Sequence, residues 1–493
     1  MLKSLIEIKE ETTMNIIHSR PFQILFLNFL FLAVFLTTCY SQGERPIILK
    51  GTIVTPGEII QGGYVVIENQ KISSIIKSLK EIDAPVNAIH VDTKGIIFPG
   101  LVDVHNHVPF NVFPEWHPGK NKFSNRYQWR YHSAEHQKTV KQPSDNMEGF
   151  RCQMNTYGEI RALVGGTTSI LNTSADKQCV QGLVRNLDDP SQVDLRTIEY
   201  LIDIQNFNPA KSDVEVQQKL DAVKARLTAG TVDAVFIHLA EGKASDSISK
   251  GEFKLLQDNA LLTDKTAIIH GVAFGLNEFR AMHNAGASLV WSPKSNLELY
   301  GQTADIKTAK QQGVKIALAP DWSITGSNNL LGELNYAASW NREHLNGLFS
   351  DKELVDMATT TPASIAGLSD KIGAIKVGLY ADLLVISGNV LQPHTSLVQA
   401  KTNNVKLVLV NGVPLYGAQE LMEKFWNKNQ LEVLLNSASP MALKLPLPNS
   451  MKSFSELQKN LSSKLTAEGT SLAPLFMLRK STNKPTVGLE NVH

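Results

Sequence analysis

From Met147 to Ala319 the chain alternates between short apolar stretches and helical patterns, and this alternation limits the fold more than any other feature. Apolar stretches typical of buried strands lie at 167–171, 197–202, 232–239, 266–270, 287–291 and 314–319. The spacing Ser212-x-x-Glu215 is typical of a capping box that opens one of the intervening helices. Strands that alternate with helices pair in parallel through right-handed crossovers. About eight such units predict an α/β fold of the (β/α)8 TIM-barrel type.

Two regions rich in β-branched residues flank this pattern, at 44–95 and 371–418. They read as short strands, with a hairpin turn over Glu68–Lys71 in which Asn69 tolerates a positive φ. We expect the two flanks to pair into one small β-sandwich. The predicted organisation is a signal segment at 1–42, the N-terminal half of the sandwich at 44–95, the barrel at 96–370, the C-terminal half of the sandwich at 371–418 and a C-terminal helical extension at 419–493.

In the C-terminal extension, Ser453-x-x-Glu456 predicts a helix start. Phe454, Leu457, Leu461 and Leu465 follow at helical spacing. We expect this apolar face to pack on the exterior of the barrel.

The N-terminus has the pattern of an export signal. Arg20 precedes the apolar run Phe22–Leu36, and Thr37-Thr38-Cys39 follows it. The run is shorter than the about 20 residues that a membrane span needs. The segment resembles a bacterial lipoprotein signal with Cys39 as the lipidated residue, so we expect an exported protein that is membrane-anchored or periplasmic. Ordinary secretion and an uncleaved anchor are the alternatives, and Met14 competes with Met1 as the start.

Composition excludes several classes of partner. Lys and Arg number 48 against 47 Asp and Glu, and this balance argues against nucleic acid or a broad anionic surface as a partner. Three cysteines are too few for a disulfide scaffold. Export would allow Cys152 and Cys179 to pair, and without export two inert buried thiols are the favoured interpretation; the sequence leaves the pairing open.

The stretch Phe98–His107 reads as a buried strand that ends in two histidines. Successive side chains of a strand point to opposite faces, so His105 and His107 point the same way. Two imidazoles on one face can bind one cation. Taken alone, the pair is weak evidence, and two partly exposed loop histidines are the favoured interpretation.

Four further residues fall at the ends of later strands. They are His238, Glu241, His270 and Asp321. Taken singly, His270 could be a core histidine and Asp321 a helix N-cap. Because side chains at the carboxyl ends of barrel strands meet at one mouth, we expect all four histidines and both carboxylates to lie together.

The segment from Val108 to Asn146 is long, irregular and dense in aromatic residues, with His117, His132 and His136 among them. It leaves the strand that carries His105 and His107, so we expect it to cap a pocket and to select the substrate. His132 and His136 are spaced to bind a metal from one helix face. We favour a surface helix face for that pair.

The ordered set of motifs resembles the amidohydrolase superfamily, and within it the branch of cyclic deaminases, triazine-type chlorohydrolases and relatives of imidazolonepropionase. The resemblance covers about residues 45–415. It is carried by Pro99–His107, His238-Leu239-Ala240-Glu241, His270, Trp291–Leu297, Pro320-Asp321, Ser327-Asn328-Asn329, Ala358–Ala363 and Gly373–Leu384. Trp291 departs from the family's pattern, and we expect it to change the shape and polarity of the pocket.

The resemblance implies an amidohydrolase that acts on carbon–nitrogen bonds other than peptide bonds. His105, His107, His238 and Asp321 would bind one divalent metal, zinc or iron(II), whose bound hydroxide attacks a trigonal carbon of an amidine, a lactam or an aminated ring. Glu241 would transfer the proton of the water to the leaving group. His270 would orient the nucleophile, and Asp321 would also accept a proton.

Two alternatives stay open. A binuclear, peptidase-like enzyme would need a carboxylated lysine at a strand end, but Lys211 and Lys219 lie in a loop and on a helix. A surface-anchored binding lipoprotein would keep the fold without turnover. We expect a small-molecule substrate and contact with a membrane through Cys39, and self-association into a homo-oligomer stays open.

Overall fold

A computed structural model describes residues 45–476, except 79–84, 86, 121, 173–178, 180–181, 209–211, 436–438 and 447–452. The predicted signal segment 1–42, with Cys39 and both candidate start residues, lies outside the described residues. No helix in the described part of the chain is both long and apolar enough to cross a membrane. The described residues from Pro46 to Phe476 form one compact unit.

Three sheets contain seventeen strands in the described part of the chain. In chain order they are β1 Ile47–Val54, β2 Ile59–Glu68, β3 Lys71–Ile76, β4 Ile89–Pro99, β5 Leu101–Asn106, β6 Thr167–Asn172, β7 Arg185–Asn186, β8 Ile198–Leu201, β9 Ala234–Leu239, β10 Thr266–His270, β11 Ser288–Trp291, β12 Ile316–Leu318, β13 Leu383–Ile386, β14 Val405–Val410, β15 Val413–Ala418, β16 Glu432–Leu435 and β17 Pro440–Leu443.

The strands of both flanks join into one nine-stranded sheet, in the order β16-β17-β15-β14-β13-β4-β1-β2-β3. The antiparallel pairing of β4 with β13, in which Leu383 lies opposite Pro99, joins the N-terminal flank to the C-terminal one. Asn69 and Gln70 both have positive φ in the β2–β3 hairpin, which confirms the predicted turn. The predicted pairing of the flanks is therefore correct, whereas the sandwich stays a prediction.

The remaining eight strands are parallel and form two sheets, β12-β11-β10-β9-β8 and β5-β6-β7. An isolated parallel bridge between Asn106 and Asp321 links the end of β5 to the loop after β12. The strands predicted at 197–202, 232–239 and 314–319 are confirmed but shorter than expected. β7 was missed because two residues carry no readable period.

Helices connect these strands and cover their outer faces. The longer ones are Arg151–Val164, Asp213–Thr228, Ser247–Asp258, Leu276–Ala285, Pro293–Tyr300, Leu330–His344 and Phe454–Ala467, and the shorter ones are Ile306–Gln311, Asp351–Asp356, Thr360–Ile365, Pro393–Val398 and Gln419–Met422. Ser212 and Glu215 form the predicted capping box. An α/β architecture is thereby confirmed.

The segment after β5 is largely helical rather than irregular. A single 3-10 turn covers Val108–Val112, and four short helical pieces run consecutively from Gln128 to Asp145, interrupted only at Ser133. Two of these pieces, Gln128–His132 and Gln137–Lys141, have the wider π-helical turn, which recurs at functional sites.

The C-terminal helix Phe454–Ala467 packs on the helix Arg151–Val164. Its predicted apolar face is buried, and the Phe454 ring stacks on Tyr157 with centroids 6.1 Å apart. Beyond it, the amide of Ala473 donates to the carbonyl of Val112, at 2.8 Å. The extension thus supports the segment that follows β5.

Cys152 and Cys179 form a disulfide, with Cα atoms 4.8 Å apart. The bond joins the first turn of the helix Arg151–Val164 to the chain that follows β6. The alternative of two inert thiols is therefore wrong. Sequence alone did not decide it, because only the fold brings residues 27 positions apart within bonding range.

Candidate metal centre and active site

The six residues expected at strand ends all lie at the carboxyl ends of parallel strands. His105 lies in β5, and His107 directly follows that strand. His238 lies in β9 and is followed by Glu241 in the next turn, and His270 is the last residue of β10. Asp321 follows β12 by three positions. The structure therefore places them as the alternating pattern implies.

These side chains converge on one point. Nε2 of His105 lies 3.0 Å from Oδ1 of Asp321, and Nε2 of His107 lies 3.6 Å from the same oxygen. The His238 ring centroid lies 4.6 Å from that of His105. In each of three overlapping triads the ligand atoms lie within 4.8 Å of one another. The triads are His105/His107/His238, His105/His270/Asp321 and His238/Glu241/His270.

The backbone at this end of the strands adopts uncommon conformations. Ala240, His270 and Asp321 have φ of 52°, 75° and 69°, in the left-handed region that non-glycine residues rarely occupy. The amide of His107 donates to the carbonyl of Asp321 at 2.8 Å, which fixes the two chain segments to each other. Such strain persists where the surrounding structure holds it, and it is frequent at functional sites.

The donor set fits a divalent cation. His105 is fully buried, and neither of its ring nitrogens has a hydrogen bond to the described residues. Burial lowers the pKa of His105 and of His107 to about 3, so both imidazoles are neutral and available as ligands. Three neutral imidazoles and one carboxylate suit zinc or iron(II). Oδ2 of Asp321 accepts a hydrogen bond from Ser295 at 2.6 Å, and this orients the carboxylate.

Glu241 lies beside this cluster. Its Oε2 is 3.5 Å from Nε2 of His270, and its Oε1 accepts a hydrogen bond from the Tyr300 hydroxyl at 2.6 Å. Burial raises the pKa of Glu241 to about 8, which favours a carboxyl group that exchanges a proton near neutral pH. The Asn296 amide lies 3.0 Å from Nδ1 of His270 and holds that ring.

Two residues near the cluster, Tyr300 and Tyr200, were missed by sequence reasoning. Tyr300 contacts Glu241, and Nε1 of Trp129 donates in turn to the Tyr300 hydroxyl at 2.7 Å. The Tyr200 hydroxyl, from β8, lies 2.8 Å from Nδ1 and 3.1 Å from Nε2 of His238. The position of Tyr200 near the end of a strand was a usable signal, whereas Tyr300 carries none; Trp129 belongs to the aromatic segment that was expected to cap the pocket.

A cavity of about 250 Å3 opens onto these residues and has two walls. The strand-end wall consists of His107, His238, Glu241, His270 and Asp321. The aromatic wall consists of Phe110, Trp129, Tyr131, His136 and Trp322. All but Trp322 of the aromatic wall come from the segment 108–146, so that segment does line the pocket.

Two expectations about this cavity were wrong. His136 does not belong to a surface helix face, because it is buried in the cavity wall, whereas His132 is exposed. The assumed continuous helical spacing fails between the two histidines, because Ser133 has an extended backbone and starts a new helical piece that carries His136. Trp291 does not shape the cavity, since its indole is buried and donates to the hydroxyl of Thr303.

Comparison with known proteins agrees with this geometry. Residues 232–415 match the model of the amidohydrolase family. A 5-methylthioadenosine/S-adenosylhomocysteine deaminase from Pyrococcus furiosus is 32% identical over 195 residues, which cover 36% of this chain and 46% of that protein. The enzyme of the same name from Thermococcus onnurineus is 24% identical over 419 residues, which cover 76% of this chain and 95% of that one. The chain thus spans less than half of the first relative and nearly all of the second.

Solved structures share the fold. An adenosine deaminase from Xanthomonas campestris with bound zinc superposes with a TM-score of 0.62 at 18% identity, covering 86% of this chain and 98% of that one. Atrazine chlorohydrolase from Arthrobacter aurescens, complexed with zinc, gives a TM-score of 0.60 at 15% identity, covering 85% and 99%. The family match and the relatives confirm the resemblance to the amidohydrolase superfamily that the motifs carried, and residues 232–415 are the part of the chain that the family's model matches.

Proposed function

We propose that this protein is a metal-dependent hydrolase that removes an amino group from an aminated ring. One observation carries the proposal: Glu241 and His270 adjoin three imidazoles and a carboxylate in the wall of one cavity. The relatives named above are deaminases of aminated rings. A substrate of this class has the trigonal carbon and the nitrogen leaving group that such a site needs.

His105, His107, His238 and Asp321 would hold the cation. A divalent cation bound there would supply a water molecule of lowered pKa and would polarise the substrate. We favour one cation over two. A second cation would need a carboxylated lysine at a strand end, whereas the side chain that β8 places against His238 is that of Tyr200. Metal analysis of the purified protein should therefore give about one zinc or iron per chain. A value near two would favour the binuclear alternative.

The chain's own residues would move the protons. Glu241 would take a proton from the attacking water and deliver it to the amino group as the carbon–nitrogen bond breaks, so that ammonia leaves and the ring keeps the oxygen. His270, whose Nε2 lies 3.5 Å from Oε2 of Glu241, would orient the attacking oxygen. The aromatic wall would exclude other water from the reacting carbon.

We also propose that the two parallel sheets close into one barrel. Eight parallel strands are present, and the Asn106–Asp321 bridge joins β5 to the end of β12. A barrel of this type brings the carboxyl ends of all strands to a single mouth.

Ammonia release from aminopurines, aminopyrimidines and aminotriazines tests this function. Glu241→Gln should lower kcat by about 10³-fold and leave the metal content unchanged, because the ligands remain. His117→Gln is the matched control, since its side chain is 64% exposed and away from the cavity. Wild-type protein that binds metal and releases no ammonia from any ring would favour the binding lipoprotein instead.

A separate proposal concerns location. The N-terminal pattern supports export with a lipid on Cys39, and the Cys152–Cys179 disulfide is the kind that persists in oxidising compartments. Metabolic labelling with a lipid precursor should mark the wild type and not Cys39→Ala. Equal labelling of both proteins, or of neither, would contradict the anchor.

A further inference from the structure

The aromatic wall contains a histidine that the proposed chemistry does not use. His136 is 5% exposed and lines the cavity together with the metal-ligand cluster. Within the described residues, neither Nδ1 nor Nε2 of His136 has a hydrogen-bond partner. Buried polar groups are nearly always hydrogen-bonded, and an unpaired one costs stability. A buried imidazole without a protein partner, in the wall of a cavity, is therefore a candidate contact for a ligand.

Three indoles surround this imidazole. Its ring centroid lies 5.0 Å from Trp129, 5.3 Å from Trp116 and 6.3 Å from Trp322. Trp129 and Trp322 lie 5.5 Å apart, and Trp322 lies 5.9 Å from His107 of the strand-end wall. Aromatic side chains in this arrangement favour a flat ring as the ligand. The Trp322 ring therefore contacts both His136 and His107, which is one of the candidate metal ligands.

The charges around His136 favour an uncharged contact. Burial lowers the pKa of His136 to about 4, so its ring is neutral and has one donor and one acceptor. Arg130 also lines the cavity, but it is paired with Asp203 at 2.9 Å. Lys141 lines the cavity as well and is paired with Asp145.

Carboxylates are scarce in the cavity. Glu241 and Asp321, both assigned to the chemistry, are the only ones that line it within the described part of the chain. A cationic substituent on the ligand would therefore find no free partner among these residues.

We propose that His136 is a specificity-determining residue: it hydrogen-bonds an uncharged heteroatom on the far edge of a planar aminated ring that lies against Trp129 and Trp322. This inference rests on the proposed function and names the region of the site that selects the substrate. The amino group of the ring faces Glu241, and the opposite edge faces His136.

Equilibrium binding to the Glu241→Gln protein tests this, because turnover cannot deplete the ligand. Indole fluorescence reports the binding of two probes, adenine and 3-deazaadenine, which differ in one ring nitrogen opposite the carbon that bears the amino group. Adding His136→Phe should weaken adenine binding by about 10- to 100-fold and change 3-deazaadenine binding by less than about threefold. His136→Gln, which keeps a donor and an acceptor, should recover some of the loss.

The control is His132→Phe, four residues earlier and exposed, which should bind both probes as the parent does. Equal weakening of both probes by His136→Phe would overturn the inference, because a merely structural role moves both alike. Unchanged binding of both probes, or no binding to the parent, would also overturn it.

Failure of this inference is distinguishable from failure of the proposed function. Ammonia release that requires Glu241 but ignores His136→Phe would keep the function and overturn the subsite. Binding that depends on His136, without ammonia release from any ring, would overturn the function and keep the subsite.

Discussion

The two walls of the cavity are held in different ways. The strand-end wall is fixed by main-chain pairing, as where His238 of β9 lies opposite Ile269 of β10. The aromatic wall is held to the rest of the fold by scattered contacts instead. Some are single main-chain hydrogen bonds, such as that of the Arg126 amide to Glu241, and others are side-chain contacts, such as Trp129 on Tyr300. Substitutions of these side chains can reshape the aromatic wall without breaking the strand pairing of the other wall. We infer that one wall carries the chemistry and the other the selectivity.

The largest expected effect concerns the strand-end wall. His238→Ala should release the metal and lower kcat/KM by at least about 10⁴-fold, equivalent to ~5.5 kcal/mol, because it removes a ligand of the cation. Metal analysis and kinetics measure both quantities. His117→Ala, on the exposed surface, is the control. Full metal content in His238→Ala would show that the cluster was assigned wrongly.

The next effect is a dependence of stability on pH that belongs to Glu241. Because burial raises its pKa to about 8, the metal-free folded protein keeps the carboxyl protonated where the unfolded chain, with an ordinary pKa near 4.5, has ionised it. The contribution of the Glu241 carboxyl to folding stability is therefore present in full below pH 4.5. It is lost as the pH rises from 4.5 to about 8.

Denaturant unfolding of the metal-free proteins checks this. Glu241→Gln should match wild type near pH 4 and exceed it progressively up to pH 8, by at most ~5 kcal/mol at ~1.4 kcal/mol per pKa unit. Asp103, whose pKa burial also raises to about 8, titrates in both proteins and cancels. If the free energies of unfolding of wild type and Glu241→Gln differed by the same amount at every pH in this range, the Glu241 carboxyl would not have the raised pKa that burial causes.

A smaller effect is expected from the disulfide, which anchors the chain after β6. Cys152→Ser should lower the free energy of unfolding by about 3–4 kcal/mol, as expected for a loop of this length. Turnover should change less than about twofold, since neither cysteine lines the cavity. Reduction of the wild type should give the same loss of stability. An unchanged unfolding midpoint would contradict the pairing.

The smallest effect tests the contact between the walls. Tyr300→Phe removes the hydrogen bond to Glu241 and leaves Trp129 without its acceptor, so kcat should fall about 10- to 100-fold, or ~1.4–2.7 kcal/mol. The hydrogen bond from Tyr300 lowers the pKa of Glu241. The acid limb of the pH–rate profile should therefore move upward in the variant. Tyr64→Phe, in β2, is the control, and an unmoved profile would reduce Tyr300 to a packing residue.

Much of the strand-end wall could be predicted because its signals are local. A period of two places His105 and His107 on one face, and the end of an apolar run marks His238, His270 and Asp321. The capping residues Ser212 and Ser453 marked the starts of two helices correctly for the same reason. Strands and helices have the same backbone geometry wherever their sequence patterns occur, so these local signals can be read without the tertiary structure.

The sequence placed the segment 108–146 at the pocket but did not show which of its side chains form the aromatic wall. His136 read as a surface residue because continuous α-helical spacing from His132 was assumed, whereas the extended Ser133 interrupts that spacing and His136 is buried. Trp291 read as a pocket residue because of its place in a motif, yet it points into the core. Contacts such as Trp129 with Tyr300 join residues 171 positions apart and follow no period.

Local patterning, then, was sufficient for the α/β class, the parallel strands and the identity of the metal-ligand candidates, because hydrogen-bonded backbone imposes fixed periods on the side chains. The fold in three dimensions decided which rings line the cavity, which cysteines pair and which tyrosine contacts Glu241. These depend on packing between distant segments, whose free energy is set by shape and burial rather than by neighbours in the chain.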